Sequence, residues 1–289
     1  MELTVDYIKN ILPKRSLDTH KGNFGHTLIV AGSKQFTGAA ILCSLGCLRS
    51  GSGLTTLAIS ESLYIPITKR LQPEIITITL PDKNGSISEK ATKILLDYII
   101  DRKITSIAFG CGISQEPNTK IFTERFLTKN KIPVVIDADG LNNIQKNVKI
   151  LKKLKSKKII TPHPAELSRL TGVSISDIQK KREETASEFA KKNKLICVLK
   201  GYETIITDGD KIYINTTGNP GMAVAGSGDV LTGMIAGFIG QTENLMDAAC
   251  LGVFLHGLAG DLAAKEKTQI SMLPTDLIER IPAAVKIVL

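Results

Sequence analysis

Seven short runs along the chain are apolar almost throughout and then close on a glycine, an acid, a threonine or a lysine. They are HTLIVAGS (residues 26–33), LTTLAI (54–59), IITIT (75–79), SIAFG (106–110), PVVIDADG (133–140), KIITP (158–162) and ICVLKG (196–201). A strand with one wet face alternates apolar and polar residues, so runs without that alternation need cover on both faces. The intervening segments carry helical period over 38–50, 88–101, 118–130, 165–171 and 176–194. This β-α-β-α order predicts an α/β fold of three layers, α/β/α, with a central, mostly parallel sheet and ligands outside the carboxyl ends of its strands.

Residues 204–218, TIITDGDKIYINTTG, break the pattern: an Asp-Gly pair between alternating residues predicts a hairpin. Two helices, 227–239 and 245–267, and a short tail follow. No linker, repeat or low-complexity segment interrupts the chain, so residues 1–289 read as one domain.

The formal net charge of +9 favours anionic partners. The basic residues concentrate in 146–158 and 180–194, where no aromatic side chains are interleaved to stack on bases, so these are read as solvated helix faces and no nucleic-acid partner is expected. Five cysteines without a CxxC, and four scattered histidines, offer neither a zinc framework nor a disulfide pattern and point to a reducing compartment. The first residues lack an apolar leader, and no apolar run approaches the roughly 20 residues of a membrane span, so a cytoplasmic protein without a membrane partner is expected.

Candidate chemistry gathers in three stretches. NPGMAVAGSGDVLTG (219–233) places Asp229 at the start of a helix behind Gly218, Gly221, Gly226 and Gly228. Glycines at this density let the backbone approach a ligand, and helix-initial amides bind phosphate. A carboxylate beside them can take a proton from an attacking hydroxyl, although a first-turn Asp can equally be a cap. TPHPAELSRLTG (161–172) brings His163 and Glu166 to the ligand edge, as a hydrogen-bonding imidazole and an acid orienting a magnesium-bound water, or as helix caps. VLKGYETIITDG (198–209) ends a strand at Lys200 and Gly201, where a lysine can meet phosphate or water. In VIDADGLN (135–142), one of Asp137 and Asp139 faces the site and the other turns away. The glycine-rich HKGNFG loop lies at the end of its strand opposite the turn at 31–33, and the small residues from Gly38 to Gly46 permit close cofactor approach or, by default, tight helix–sheet packing. No GxxxxGK[ST] occurs, and GSGDVL fails GxGxxG at its last position.

Together with KGNFGHTLIVAGS, GAAILCSLGCLRSGSGLTTLA and IAFGCGIS, these stretches resemble the ADP- or ATP-dependent NAD(P)H-hydrate dehydratases, a branch of the ribokinase-like fold, over nearly the whole chain. The resemblance implies repair of NADHX and NADPHX: ADP or ATP phosphorylates the hydroxyl at ring carbon six, and phosphate is then eliminated in a lyase reaction. It implies Asp229 as base and the amides of Gly226, Ser227 and Gly228 as anion hole. Lys200, Gly201, Tyr202, Glu203 and Thr204, with Gly228, would line the adenine nucleotide. Ala39 or Ala40, Gly112 and His163 would join Asp229 in holding the damaged cofactor, and Glu166 would act on Mg²⁺ through water. The family also implies a homo-oligomer, a tetramer. With no N-terminal epimerase domain expected in residues 1–289, a separate NAD(P)HX epimerase would be needed. Cys111 stands where relatives usually carry Pro, and Ala225 where many carry Gly. Two rivals share parts of the pattern: a ribokinase-like kinase releasing a phosphorylated small alcohol, and a nucleotide sensor or nucleic-acid binder without turnover.

Overall fold

All residues of β1 (His26–Val30), β6 (Ser106–Phe109), β7 (Val134–Ile136), β8 (Lys158–Ile160) and β9 (Ile196–Leu199) are buried, as runs without alternation require. The computed structural model describes residues 1–289. Its remaining strands are β2 (Leu54–Ser60), β3 (Ile76–Leu80), the small β4 (Asp82–Lys83) and β5 (Ser86–Ile87), β10 (Thr204–Thr207) and β11 (Ile212–Asn215). Nine of them form one sheet in the order β11-β10-β9-β8-β7-β6-β1-β2-β3. The seven from β9 to β3 are parallel, and the β10–β11 hairpin adds the antiparallel edge.

Helices cover both faces. On one side lie α1 (Val5–Ile11), α2 (Thr37–Arg49), α3 (Tyr64–Thr68), α10 (Ser227–Ile239), α11 (Leu245–Lys267) and α12 (Pro274–Val288). On the other lie α4 (Ala91–Asp101), α5 (Pro117–Lys129), α6 (Asp139–Ile144), α7 (Pro164–Thr171), α8 (Ile175–Lys180) and α9 (Arg182–Asn193). The two cores hold 42 and 33 buried residues, so neither face of the sheet is left to water. Successive strand residues feed opposite cores: Ile29 and Val135 go to the first, Leu28, Val30, Val134 and Ile136 to the second. The chain runs from β1 outward to β3 and then returns to the other side of β1 as β6. That reversal makes a topological switch point at the carboxyl ends of β1 and β6, where the 32–40 and 110–112 segments meet.

Four elements differ from the sequence reading. The tail is the 15-residue α12, whose interior Pro282 reads as a helix breaker although Leu277, Ile278, Ile281, Ala284 and Val288 all bury. The helix expected over 176–194 is two, divided at Lys181 (φ −133°, ψ 50°). The run at 75–79 is an edge strand with Ile76 exposed rather than a covered one. Finally, α11 is long and apolar enough to cross a membrane by length and composition, yet 72% of its most apolar window is buried inside the fold, which accounts for its hydropathy.

The closest helix contact is α2 on α10, and glycine makes it possible. A β-carbon on Gly233 would stand 1.9 Å from the Cys43 carbonyl oxygen, and one on Gly46 would stand 2.4 Å from that of Val230. Gly233→Ala therefore forces two backbones apart, and urea denaturation is expected to show a loss of roughly 1–3 kcal/mol or more, the cost of overpacking a rigid core.

Candidate active site

Three adjacent strands end in the residues that anchor the site. Asp137 follows β7, Lys200 follows β9, and the α7 cap at 163 follows β8. Lys200 Nζ lies 2.7 Å from Asp137 Oδ1 and 3.7 Å from Glu166 Oε2, while Thr232 on α10 donates to Asp137 Oδ2 at 2.7 Å. Burial works against the lysine's charge, but the carboxylates of Asp137 and Glu166 outweigh it and hold Lys200 protonated well above its ordinary range. Ala138 then takes φ 47°, ψ −119°, a conformation that costs an alanine of order 1–3 kcal/mol. The turn sends Asp137 into the site and Asp139 away to the Ser114 amide (3.0 Å) and Gln115 Nε2 (3.1 Å), the division expected from their alternating positions.

At α7 the capping alternative is realised. His163 Nδ1 accepts from the Ala165 and Glu166 amides, and Glu166 Oε2 accepts from the His163 amide at 2.8 Å. An accepting Nδ1 leaves the proton on Nε2. Burial, with Lys200 and Arg169 nearby, lowers the imidazole's pKa and keeps it neutral. Burial raises the Glu166 carboxyl, the Lys200 charge opposing it. Capping does not remove these side chains from the site, because both line the same cavity as Lys200.

The N-terminus of α10 is uncapped by any side chain. Gly226 turns the chain at φ 101°, in the left-handed region, so that the first amides face outward. The amides of Gly226, Gly228 and Asp229 have no acceptor within the chain, whereas Ser227 N–H makes a long, 3.3 Å bond to the Val224 carbonyl. Three of these four donors are thus available to an anion, and the Ser227 amide, expected among them, is partly engaged. Asp229 is the third residue of the helix and carries no capping bond, so its capping alternative is not realised. Burial, and next the negative charge of Asp137, raise its carboxyl pKa from 3.8 to about 6; the Cys111 thiol and Lys200 pull the other way.

These groups share one cavity of about 860 Å³, lined by Asp137, His163, Glu166, residues 200–204, the 215–220 loop and residues 222–229. Tyr202 is 87% exposed at its rim, and Thr204 Oγ1 bonds back to the Gly201 carbonyl. Gly112 and Ala39 lie outside this lining, at the switch point between β1 and β6, where they pack together: a β-carbon on Gly112 would stand 2.6 Å from Phe36 Cβ and 2.9 Å from Ala39 Cβ. Of the two alanines, Ala40 is wholly buried and packs beneath Gly32, which leaves Ala39 as the partly exposed one beside Gly112. Cys111 links the regions, its thiol 4.0 Å from Asp137 Oδ2 and beside Asp229.

Sequence reasoning did not assign roles to four residues the structure brings in. Asp137 carried the signal of a strand-end acid, and Thr232, three residues after Asp229 on one helix, faces the same side. His256 Nε2 lies 2.9 Å from the Ser227 carbonyl oxygen, and Asp261 accepts from the Gly218 amide and from Asn219 Nδ2. Both sit in the apolar α11, where no local pattern marks them.

A family model described as NAD(P)H-hydrate dehydratase matches residues 27–283. The chain belongs to that family. It is 34% identical to the ADP-dependent (S)-NAD(P)H-hydrate dehydratase of Bacillus subtilis, covering 96% of this chain and 95% of that protein. It is 39% identical to a bifunctional NAD(P)H-hydrate repair enzyme of Moorella thermoacetica across 97% of this chain but 53% of the relative. The chain thus spans about half the length of the bifunctional relatives. A crystal structure of the Bacillus subtilis ADP/ATP-dependent NAD(P)H-hydrate dehydratase, co-crystallised with ATP/Mg²⁺, superposes with a TM-score of 0.84 at 33% identity, covering 98% of this chain and 96% of that one. A ribokinase-like superfamily protein of Enterococcus faecalis gives 0.84 at 27% identity over 99% and 95%. The three-layer, mostly parallel fold is therefore ribokinase-like.

The raised Asp229 pKa has a consequence for stability. Between pH 3.8 and about 6 the native carboxyl holds a proton that the unfolded chain releases, so stability falls as pH rises through this window. Below it the carboxyl costs nothing; above it the full cost applies. Asp229→Asn should therefore stabilise the protein by roughly 1–3 kcal/mol at pH 8 and leave it unchanged at pH 3.5, as read by urea unfolding at the two pH values.

Proposed function

We propose that this chain dehydrates the 6-hydroxy nicotinamides NADHX and NADPHX, with ADP or ATP as phosphoryl donor. The observation that carries the reading is Asp229: a partly buried carboxylate with a pKa raised to about 6, beside three free helix-initial amides and within one cavity with Lys200. A base poised near neutral pH takes the hydroxyl proton, and the hydroxyl oxygen attacks the terminal phosphorus of the donor. The bond to AMP or ADP breaks as the new P–O bond forms. The Gly226, Gly228 and Asp229 amides receive the charge that develops on the phosphoryl oxygens. Phosphate then leaves with the C–O bonding pair, the adjacent ring carbon gives up a proton, and the dihydronicotinamide returns, a carbon–oxygen lyase outcome.

The nucleotide occupies the 200–204 side of the cavity with Lys200 opposite its phosphates, and the damaged cofactor enters from the Ala39–Gly112 side past His163. No cluster of three or more His, Cys, Asp or Glu is arranged to hold a metal ion. Glu166, already engaged by the His163 amide and facing Lys200, fits Mg²⁺ that is carried on nucleotide phosphates and met through water, which would neutralise phosphate charge there. The same reading includes a homo-oligomer, a tetramer.

The test incubates the protein with magnesium, NADHX and either ADP or ATP, following the dihydronicotinamide near-ultraviolet absorbance. Nucleotide-dependent recovery is expected, and Asp229→Asn should lower turnover roughly 10²–10⁴-fold while nucleotide binding persists. The acid limb of kcat/KM should fall near pH 6, since protonation of Asp229 removes the base. Absence of recovery with both nucleotides and the correct epimer, or accumulation of a stable phosphorylated alcohol, would overturn the reading.

A further inference from the structure

One buried imidazole on the helix opposite the anion-binding turn has a partner that ties it to that turn. His256 is 7% exposed, and its Nε2 stands 2.9 Å from the carbonyl oxygen of Ser227. A carbonyl only accepts, so Nε2 carries the proton and donates it. Ser227 Oγ, 3.4 Å from the same nitrogen, makes at most a weak second contact. Burial drives the imidazole's pKa down to about 4, so the ring is neutral at physiological pH and the tautomer is set by this bond. Nδ1 has no protein partner, and the ring lines the cavity.

The carbonyl of Ser227 and the N–H of Gly228 belong to one peptide group. That group is planar and trans, since the chain has no cis bond, so its two dipole ends point in opposite directions. Within α10 that carbonyl also accepts the i+4 helix bond from Leu231, so His256 is its second, cross-helix partner, and the two together set the direction of the Gly228 N–H, one of the amides without an acceptor. A hydrogen bond at the carbonyl also polarises the peptide and makes its N–H a stronger donor. Gly228 lies where this matters: a β-carbon there would stand 3.5 Å from Lys200 Nζ and 3.9 Å from Asp137 Oδ2.

We propose that His256 is a positioning residue for phosphoryl transfer, aiming and polarising the Gly228 amide through the Ser227 carbonyl. This rests on the dehydratase reading for its kinetic consequence but not for its structural one. His256 touches no reacting atom. Its action is confined to a peptide whose amide meets the charge that grows in the transition state, so its loss lowers kcat more than it raises KM.

The experiment compares His256→Leu, which fills the space without a donor, with His256→Gln, whose side-chain amide can reach the same carbonyl. Urea unfolding is recorded for both variants alongside the two readouts. In the dehydratase assay, His256→Leu should lower kcat by roughly 10- to 100-fold, less than the 10²–10³ of deleting an oxyanion donor, with KM for ADP changed less than about threefold. His256→Gln should recover most of kcat. In the free, ¹⁵N-labelled protein, the Gly228 amide resonance should move in His256→Leu and return toward its original position in His256→Gln, an arm that needs no turnover. A Gly228 resonance unmoved in a folded His256→Leu, or a kcat loss that His256→Gln matches at equal stability, overturns the proposal. If neither nucleotide supports recovery of NADHX by the unsubstituted protein, the dehydratase reading fails while the resonance arm still decides the geometry.

Discussion

A buried carboxylate must be paired or neutralised, and the pairing of Asp137 determines where the rest of the site stands. One oxygen meets Lys200 from the end of β9 and the other meets Thr232 from the second turn of α10, so a single residue ties two strand ends to the helix that carries Asp229. The same charge acts on Asp229 through space and, with burial, moves its carboxyl toward neutral pH. Asp137 thus anchors the structure and tunes the Asp229 carboxyl, and the strained Ala138 is the cost of bringing it inward while Asp139 points out.

The second support is α11. Its apolar surface fills the core between the sheet and α12, and two polar side chains on it reach the glycine-rich segment that lines the cavity. Asp261 clamps the 218–219 turn by two bonds, and His256 holds the first peptide of α10. Both ends of the glycine-rich 218–228 segment are therefore fastened to one rigid helix, and the Gly226 and Gly228 amides can stay free of internal partners without the loop collapsing.

Much of this was legible in the residues. Glycines crowded before Asp229 announce exposed amides because no other residue gives the backbone that freedom, and Gly226 indeed sits at φ 101°. His163 and Glu166 were readable both as caps and as site residues, and the structure makes them caps whose side chains also line the cavity, since a capping box at the carboxyl edge of a sheet has no other place to face. His256 and Asp261 were not legible, because a lone polar residue in an apolar helix looks the same from the sequence whether it meets a loop, a partner helix or water.

The sequence by itself determined the layered α/β class and the edge at which chemistry gathers, since apolar runs without alternation can only be central strands and their closing residues can only be at the ends. It also determined the free helix-initial amides at α10, which depend on local backbone freedom. Tertiary structure decided which ends become neighbours: β8 between β7 and β9, Thr232 against Asp137, α11 behind Ser227, and the buried tail as α12. Those contacts join residues tens to nearly a hundred positions apart, 63 between Lys200 and Asp137 and 95 between Thr232 and Asp137. Periodicity and capping reach only a few residues, so partnerships at that separation, and the pKa of Asp229 that follows from them, exist only once the chain has folded.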